Sequence, residues 1–266
     1  MLVAFSIIAV LAFVAERLWP ARPQALFRPG LVTDGVYLVI NIVLRIAITN
    51  TLAITVSRVG QRLLPTYTVA VLSDAPVWVQ SVVVVVVIDF CFYWMHRAKH
   101  SWAWWWRLHE THHSSRELDW FSSVRFHPLE KILDRLLYLF PLLFLGVSDT
   151  ALLVLSILDA TVASLSHANT TLRIGPLIYV FVGPEMHRWH HARDIRFQSV
   201  NFSNNLSIFD WIFGTAYVPR EAPREFGLDD EAYPEGNIAR QFAYAFRPMA
   251  PSAAAATSRV PLAEDA

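Results

Sequence analysis

The sequence predicts an all-α integral membrane protein, with about four transmembrane or hairpin helices and a cytosolic-side helical cap. Three observations predict it. Hydrophobic residues fill 55% of the 266 positions and charged ones only 17%, against about 25% charged in an average soluble domain. Mean hydropathy is +0.38. Apolar stretches near the roughly 20 residues that cross a bilayer recur along the chain, and the histidines gather in polar segments between and after them.

The first stretch, MLVAFSIIAVLAFVAERLW, has no basic residue ahead of its apolar run. A cleaved signal peptide starts with positive charge, so this segment reads as a first membrane helix that stays. The second runs from Leu31 to Val59 and carries Asp34, Asn41 and Arg45. It is either long and tilted or turns one polar face to other helices. The third follows Pro76 as VWVQSVVVVVVIDFCFYWM. Its six valines favour strand by propensity, but about twenty apolar residues favour a spanning helix. The fourth, Leu136 to Leu165, breaks at Gly146 to Asp149. It predicts a hairpin of two helices of about fourteen to seventeen residues. The patch IGPLIYVFVG is too short to cross and reads as interfacial.

Arg17, Arg22 and Arg28 follow the first helix; Arg58 and Arg62 follow the second; Arg97, Lys99, Arg107, Arg116, Arg125 and Lys131 follow the third. The positive-inside rule puts the first loop and the histidine-rich region in the cytoplasm. Three segments result: 1–75, N-terminal membrane helices and loop; 76–220, a histidine-rich domain; 221–266, a C-terminal tail, disordered from Arg247 onward by its Pro- and Ala-rich composition. A formal net charge of +0 offers no argument for a nucleic-acid partner. The one cysteine, Cys91, excludes an intrachain disulfide and a cysteine-ligated iron–sulfur cluster.

The motif HxxHH occurs twice, at His109, His112 and His113 and at His187, His190 and His191, and HxxxH precedes the first at His96 and His100. On a helix, residues four apart lie about 40° from one another, and the three positions of HxxHH span about 100°. Each box is therefore expected to aim two or three imidazoles at one point. A lone histidine is more often a satisfied polar residue, and histidine tracts are often passive low-complexity sponges. Boxes separated by long apolar helices argue instead for a convergent site. So many imidazoles exceed one four-coordinate zinc or one iron with two histidines and a carboxylate; they suit two metals. Trp102, Trp104, Trp105 and Trp106, between the boxes, are expected at the membrane surface.

The boxes HRAKH, HETHH and HRWHH, with VRFHPLE at 124–130, SHAN at 166–169 and NNLSIFDWIFGT at 204–215, resemble the fatty acid hydroxylase / sterol desaturase superfamily. Its members are integral membrane di-iron oxygenases, and the likeness covers about Val77 to Val218. The resemblance implies the eight box histidines as metal ligands and adds His167, a residue that a helix cap also explains. It implies two iron ions, with zinc as a substitute in purified protein, and an O₂-dependent hydroxylation or desaturation of a lipid C–H bond. It implies a lipid substrate drawn from the bilayer. No cytochrome b5-like segment is read here, so electrons are expected from a separate ferredoxin- or cytochrome b5-like donor with its reductase. His127, with Glu130 as its expected partner, is either a further ligand or a supporting residue. Glu110, Asp194, Asn169, Asp89 and Asp159 are the polar groups expected to orient imidazoles. Two rival readings stand beside this one. A zinc-dependent membrane hydrolase needs fewer ligands and a carboxylate base. A non-enzymatic metal-binding or transport protein predicts ionisable residues along several spans.

Overall fold

The computed structural model describes residues 2–63 and 71–248. Among them there are nine α-helices, three short 3-10 segments and two isolated β-bridges, with no strand. The expectation of disorder beyond residue 248 falls outside the described residues.

Three helices are long and apolar enough to cross a membrane: α2 (Leu31–Leu63) through its window Leu31–Ile48, α3 (Val77–Ser101) and α6 (Asp149–His167). They turn Val32, Val39, Val43, Val82, Val86, Leu153 and Val154 outward as exposed apolar surface, which in a lipid environment needs no further cover. The shorter α1 (Leu2–Leu18) is exposed along Val3, Ile7, Val10 and Leu11 in the same way. α2 continues through Leu63, so Arg58 and Arg62 lie in the helix and not in a loop after it. Its polar residues resolve into one face. Asp34, Tyr37 and Asn41, at helical spacing, bind Arg125, Gln241 and the Val124 carbonyl.

The hairpin is longer than its apolar run. α5 (Pro128–Leu145) begins before the hydrophobic stretch, because His127 caps it and Pro128 sits in its first turn. It ends at Gly146, whose φ of 61° is the left-handed conformation that stops helices. Ser148 then caps α6 by accepting from Ala151 N–H. The core beneath the cap joins Val84, Val85, Ile88 and Tyr93 of α3 to Ala151 and Leu155 of α6, with Phe202 and Phe209 from the later chain.

The cap holds α4 (Ala103–His113), α7 (Pro184–His190), α8 (Ile208–Ile212) and α9 (Ile238–Tyr244). Trp102, extended at φ −106° and ψ 114°, closes α3 and opens α4, folding α4 back against α3. The tryptophans divide there. Trp102 and Trp104 are exposed, Trp105 is buried against Met95 and Leu108, and the Trp106 ring lies 4.9 Å from that of His100. Residues 221–248 pack on the cap: Phe226, Leu228, Tyr233 and Gln241 are buried, and Arg247 pairs with Glu110. Ordered chain thus continues to Arg247, where composition alone predicted its end.

Candidate metal centre

Nine histidines converge in two groups. His96, His100, His109, His113 and His190 form one; His112, His167, His187 and His191 form the other. Within each group the ligand atoms lie within 4.8 Å of one another. Every one of these side chains is at most 6% exposed. The groups touch: the rings of His113 and His191 stack 4.4 Å apart.

Each HxxHH box sends two imidazoles to one group, within the expected two or three, and its remaining one to the other group. The i, i+4 pair His109 and His113 serves the five-membered group, while His112 serves the other. In the second box the assignment reverses: His187 and His191 join the four-membered group and His190 crosses over. Helical geometry explains it, because i and i+4 differ by about 40° whereas i+3 and i+4 differ by about 100°. The remaining histidines, His96, His100 and His167, come from the C-terminal ends of α3 and α6. A 25-residue α3 is about 37 Å long, against roughly 30 Å of hydrocarbon, so His96 and His100 extend beyond the apolar span.

The imidazole tautomers are set from behind. Nδ1 of His96 lies 2.7 Å from the Phe202 carbonyl, that of His190 2.7 Å from Val200 O, that of His112 3.1 Å from Arg125 O, and that of His167 2.8 Å from Ala163 O. His109 Nδ1 meets Glu130 Oε1 at 2.7 Å. Each oxygen only accepts, so each Nδ1 carries the proton and each Nε2 a lone pair. Those Nε2 atoms meet one another: His96 and His109 at 2.9 Å, His190 and His96 at 3.0 Å, His167 and His112 at 3.4 Å; His187 Nε2 stands 3.2 Å from that of His167. Lone pair against lone pair is repulsive; a cation between them makes the same geometry attractive. With metal–nitrogen bonds of about 2.1 Å, neighbouring ligand nitrogens stand about 3.0 Å apart at a right angle and about 3.4 Å at the tetrahedral angle. The observed separations run from 2.9 to 3.4 Å and so match it closely. His100 Nε2 and both nitrogens of His113 are buried without any hydrogen-bond partner, which a metal ligand requires of one nitrogen. The residues present therefore fit a pair of metal ions.

Burial lowers the pKa of His109, His112, His113, His187 and His191, and brings His190 down to about 3. All these rings are neutral near pH 7, as metal ligation demands. Behind His109, burial works to raise the Glu130 pKa, but Lys99 and His109 hold its carboxyl well below the usual carboxylate range. Lys99 Nζ reaches Glu130 at 2.8 Å and Asp134 at 3.0 Å.

The other sequence candidates do different work. His127 stands outside both groups; its Nδ1 accepts from Leu129 N–H at 3.2 Å, capping α5. Glu130 thus partners His109 in place of His127. Glu110 binds Arg247 through both oxygens. Asp194 caps a 3-10 turn and pairs with Arg196 at the surface. Asn169 binds the Arg22 carbonyl at 2.9 Å. Asp89 accepts from Asn205 N–H, Leu206 N–H and Asn205 Nδ2, and Asp159 from Asn204 and Asn205. These two acids anchor the loop that carries Phe202 and orient no imidazole directly. The carbonyls of Val200, Phe202, Arg125 and Ala163 escape sequence reading because every residue has one; only Glu130, a buried acid three residues after a histidine in RFHPLE, left a signal.

A family model described as fatty acid hydroxylase matches residues 81–215, half of the chain, and the chain belongs to that family. Ornithine lipid hydroxylase OlsE of Rhizobium tropici is 32% identical over 168 residues, 63% of this chain and 49% of that one. Alkylglycerol monooxygenase of Homo sapiens is 32% identical over 134 residues, 50% of this chain and 30% of the relative. Delta(7)-sterol-C5(6)-desaturase of Nicotiana tabacum is 29% identical over 147 residues, 54% and 51% respectively. The chain spans between 30% and 51% of the length of these relatives. No solved structure matches it.

Proposed function

We propose that the chain is a membrane-bound di-iron oxygenase that hydroxylates or desaturates a C–H bond of a lipid, using O₂ and electrons from a separate donor. One observation carries the reading: two adjacent, buried groups of imidazoles in each of which Nε2 lone pairs face one another. The five-membered group would hold one iron and His112, His167, His187 and His191 the other. Iron bound there would supply the activation of O₂ that an unactivated C–H bond requires.

The chain's own part is positioning and exclusion. His96, His190 and His109 each keep the proton on Nδ1 and donate it to a carbonyl or to Glu130, so these rings keep one tautomer. Phe202, 5.4 Å from the His100 ring and 5.8 Å from those of His96 and His190, covers the first group with apolar surface. Phe126 stacks on His112 at 4.2 Å. Such walls keep bulk water from the centre. The many arginines and lysines after α3 support a cytoplasmic location for the cap.

The test is metal analysis of detergent-purified protein, followed by anaerobic iron loading and lipid profiling with O₂ and reductant. About two irons per chain and a lipid product heavier by one oxygen, or lighter by two hydrogens, are expected. Stoichiometric zinc in protein active without O₂ or reductant would overturn the oxygenase and favour hydrolysis.

A further inference from the structure

The cap has a second concentration of cationic groups, outside the histidine centre. A cleft of about 580 Å³ is lined by Arg22, Gln24, Arg116, Asn169, Arg224 and Phe226, with Glu117 as its one acid. A smaller cavity of about 280 Å³ shares Arg22, Gln24 and Asn169 and adds Arg17 and Glu16. Behind the wall lies Arg188, 3% exposed. Its guanidinium stands 5.3 Å from the Phe226 ring, and that of Arg22 stands 4.8 Å from the same ring. Two like charges thus share one aromatic wall of the cleft.

Their counter-charges are engaged elsewhere. Glu16 accepts from the N–H groups of Trp120 and Asn169, and Glu117 accepts from Gln24. Glu225 reaches Arg193 at 3.6 Å. Arg116 pairs with Glu235, and Arg22 donates to the Pro223 carbonyl. Arg188 has a single bond, from Nη1 to the Thr170 carbonyl at 3.1 Å; its Nε and Nη2 are buried without a partner. Arg224 makes no ion pair among the described residues. Leaving guanidinium donors buried and unpaired is costly, and a planar fork of donors is the shape that carboxylate and phosphate take bidentately. Asn169 Oδ1, also buried and unpartnered, adds an acceptor for a neighbouring hydroxyl or ammonium.

We infer that this cleft binds an oxyanion, carboxylate or phosphate, held by Arg22 with Arg224 at its mouth and drawn by the unpaired charge of Arg188 behind the Phe226 wall, and that the oxyanion is the head group of an amphiphile. Exposed Trp19, Leu26 and Phe27 flank the segment that supplies Arg22, and such residues lie at a membrane surface. The site is tied to the metal centre through the chain: Arg188 follows His187, and Asn169 lies two residues after His167. An anchored head group would therefore hold the rest of the molecule beside the four-membered histidine group. The head-group assignment rests on the lipid-oxidising function proposed above; the oxyanion site does not.

The experiment measures binding to the full chain in neutral detergent, metal-free and iron-loaded, by intrinsic tryptophan fluorescence. The probes are dioctanoyl phosphatidic acid, N-octanoylglycine, inorganic phosphate and uncharged dioctanoylglycerol. The two anionic amphiphiles bind, dioctanoylglycerol binds at least tenfold more weakly, and Arg188→Gln and Arg224→Gln each weaken the anions at least tenfold. Arg224 is exposed, so its variant keeps the test decisive if Arg188→Gln fails to fold. Amphiphiles binding tenfold tighter than inorganic phosphate assign the site to a head group; equal affinities support the oxyanion site and give it to a free anion. No anion binding, affinities unchanged in both variants, or equal binding of dioctanoylglycerol overturns the proposal. Because metal-free protein suffices, loss of this site with O₂-dependent lipid oxidation intact removes the cleft alone, and the converse result removes the oxygenase alone.

Discussion

The carboxylate of Glu130 meets Nδ1 of His109 at 2.7 Å while Lys99 binds the same oxygen at 2.8 Å. Among the described residues, His109 is the one histidine of the two groups whose Nδ1 proton is donated to a charged acceptor in place of a carbonyl. A carboxylate there raises imidazole basicity and fixes the ring. Glu130→Gln is expected to weaken metal binding about ten- to a hundredfold, as removal of such partners does. Competition with a chelator of known affinity reads it out, and the loss is confined to the ion bound by the five-membered group.

The division into two groups predicts separable ions. His187→Ala with His191→Ala leaves the smaller group only His112 and His167. Elemental analysis is expected to show metal falling from about two to about one per chain, since two imidazoles fall short of the three or four protein ligands that hold such ions. Complete loss of metal would mean that all nine histidines serve one indivisible site.

Acid is expected to destabilise the metal-free protein. The cap histidines have folded-state pKa values below the unfolded value of about 6.5, with His190 near about 3. The unfolded chain then binds more protons below about pH 6.5, so stability is fully present above that pH and is lost as pH falls toward the folded values. At pH 5.5 each histidine held neutral costs about 1.4 kcal/mol. Thermal unfolding of chelated protein in detergent should show a midpoint that drops from pH 7.5 to pH 5.5; a flat profile would contradict the burial of neutral rings.

Asp89→Ala tests the loop under the cap. It removes the acceptor for the Asn205 and Leu206 N–H groups, at 3.0 and 2.6 Å. Leaving a buried N–H donor unsatisfied costs about 1–3 kcal/mol, so a loss of at least about 2 kcal/mol is expected for the pair, seen as a lower unfolding midpoint. Asp89→Asn, which keeps an acceptor oxygen, should recover part of it.

What could be read in the sequence follows the range of the forces involved. Membrane helices were legible at α3 because one helix carries its whole signal in composition. The boxes were legible because i, i+4 spacing is local. Their partition was not: whether His112 joins His109 or His167 depends on how α4 is rotated against α6, and that is decided by packing. The purpose of Asp34, Tyr37 and Asn41 was half legible, as a polar face, but their partners Arg125, Gln241 and Val124 lie up to 204 residues away. Arg247 looked disordered because its neighbours are Pro and Ala, yet its contact with Glu110 is 137 residues distant.

The reversal between the two HxxHH boxes also sets an order of events during synthesis. A chain that has emerged only through α6 possesses four of the five ligands of the larger group but only His112 and His167 of the smaller one. α7 with its C-cap His191 completes both at once, adding His190 to one and His187 with His191 to the other. The larger group is thus nearly complete while translation continues, whereas the smaller becomes so only when α7 docks, and two metals held as proposed would be acquired at different stages of the protein's biogenesis.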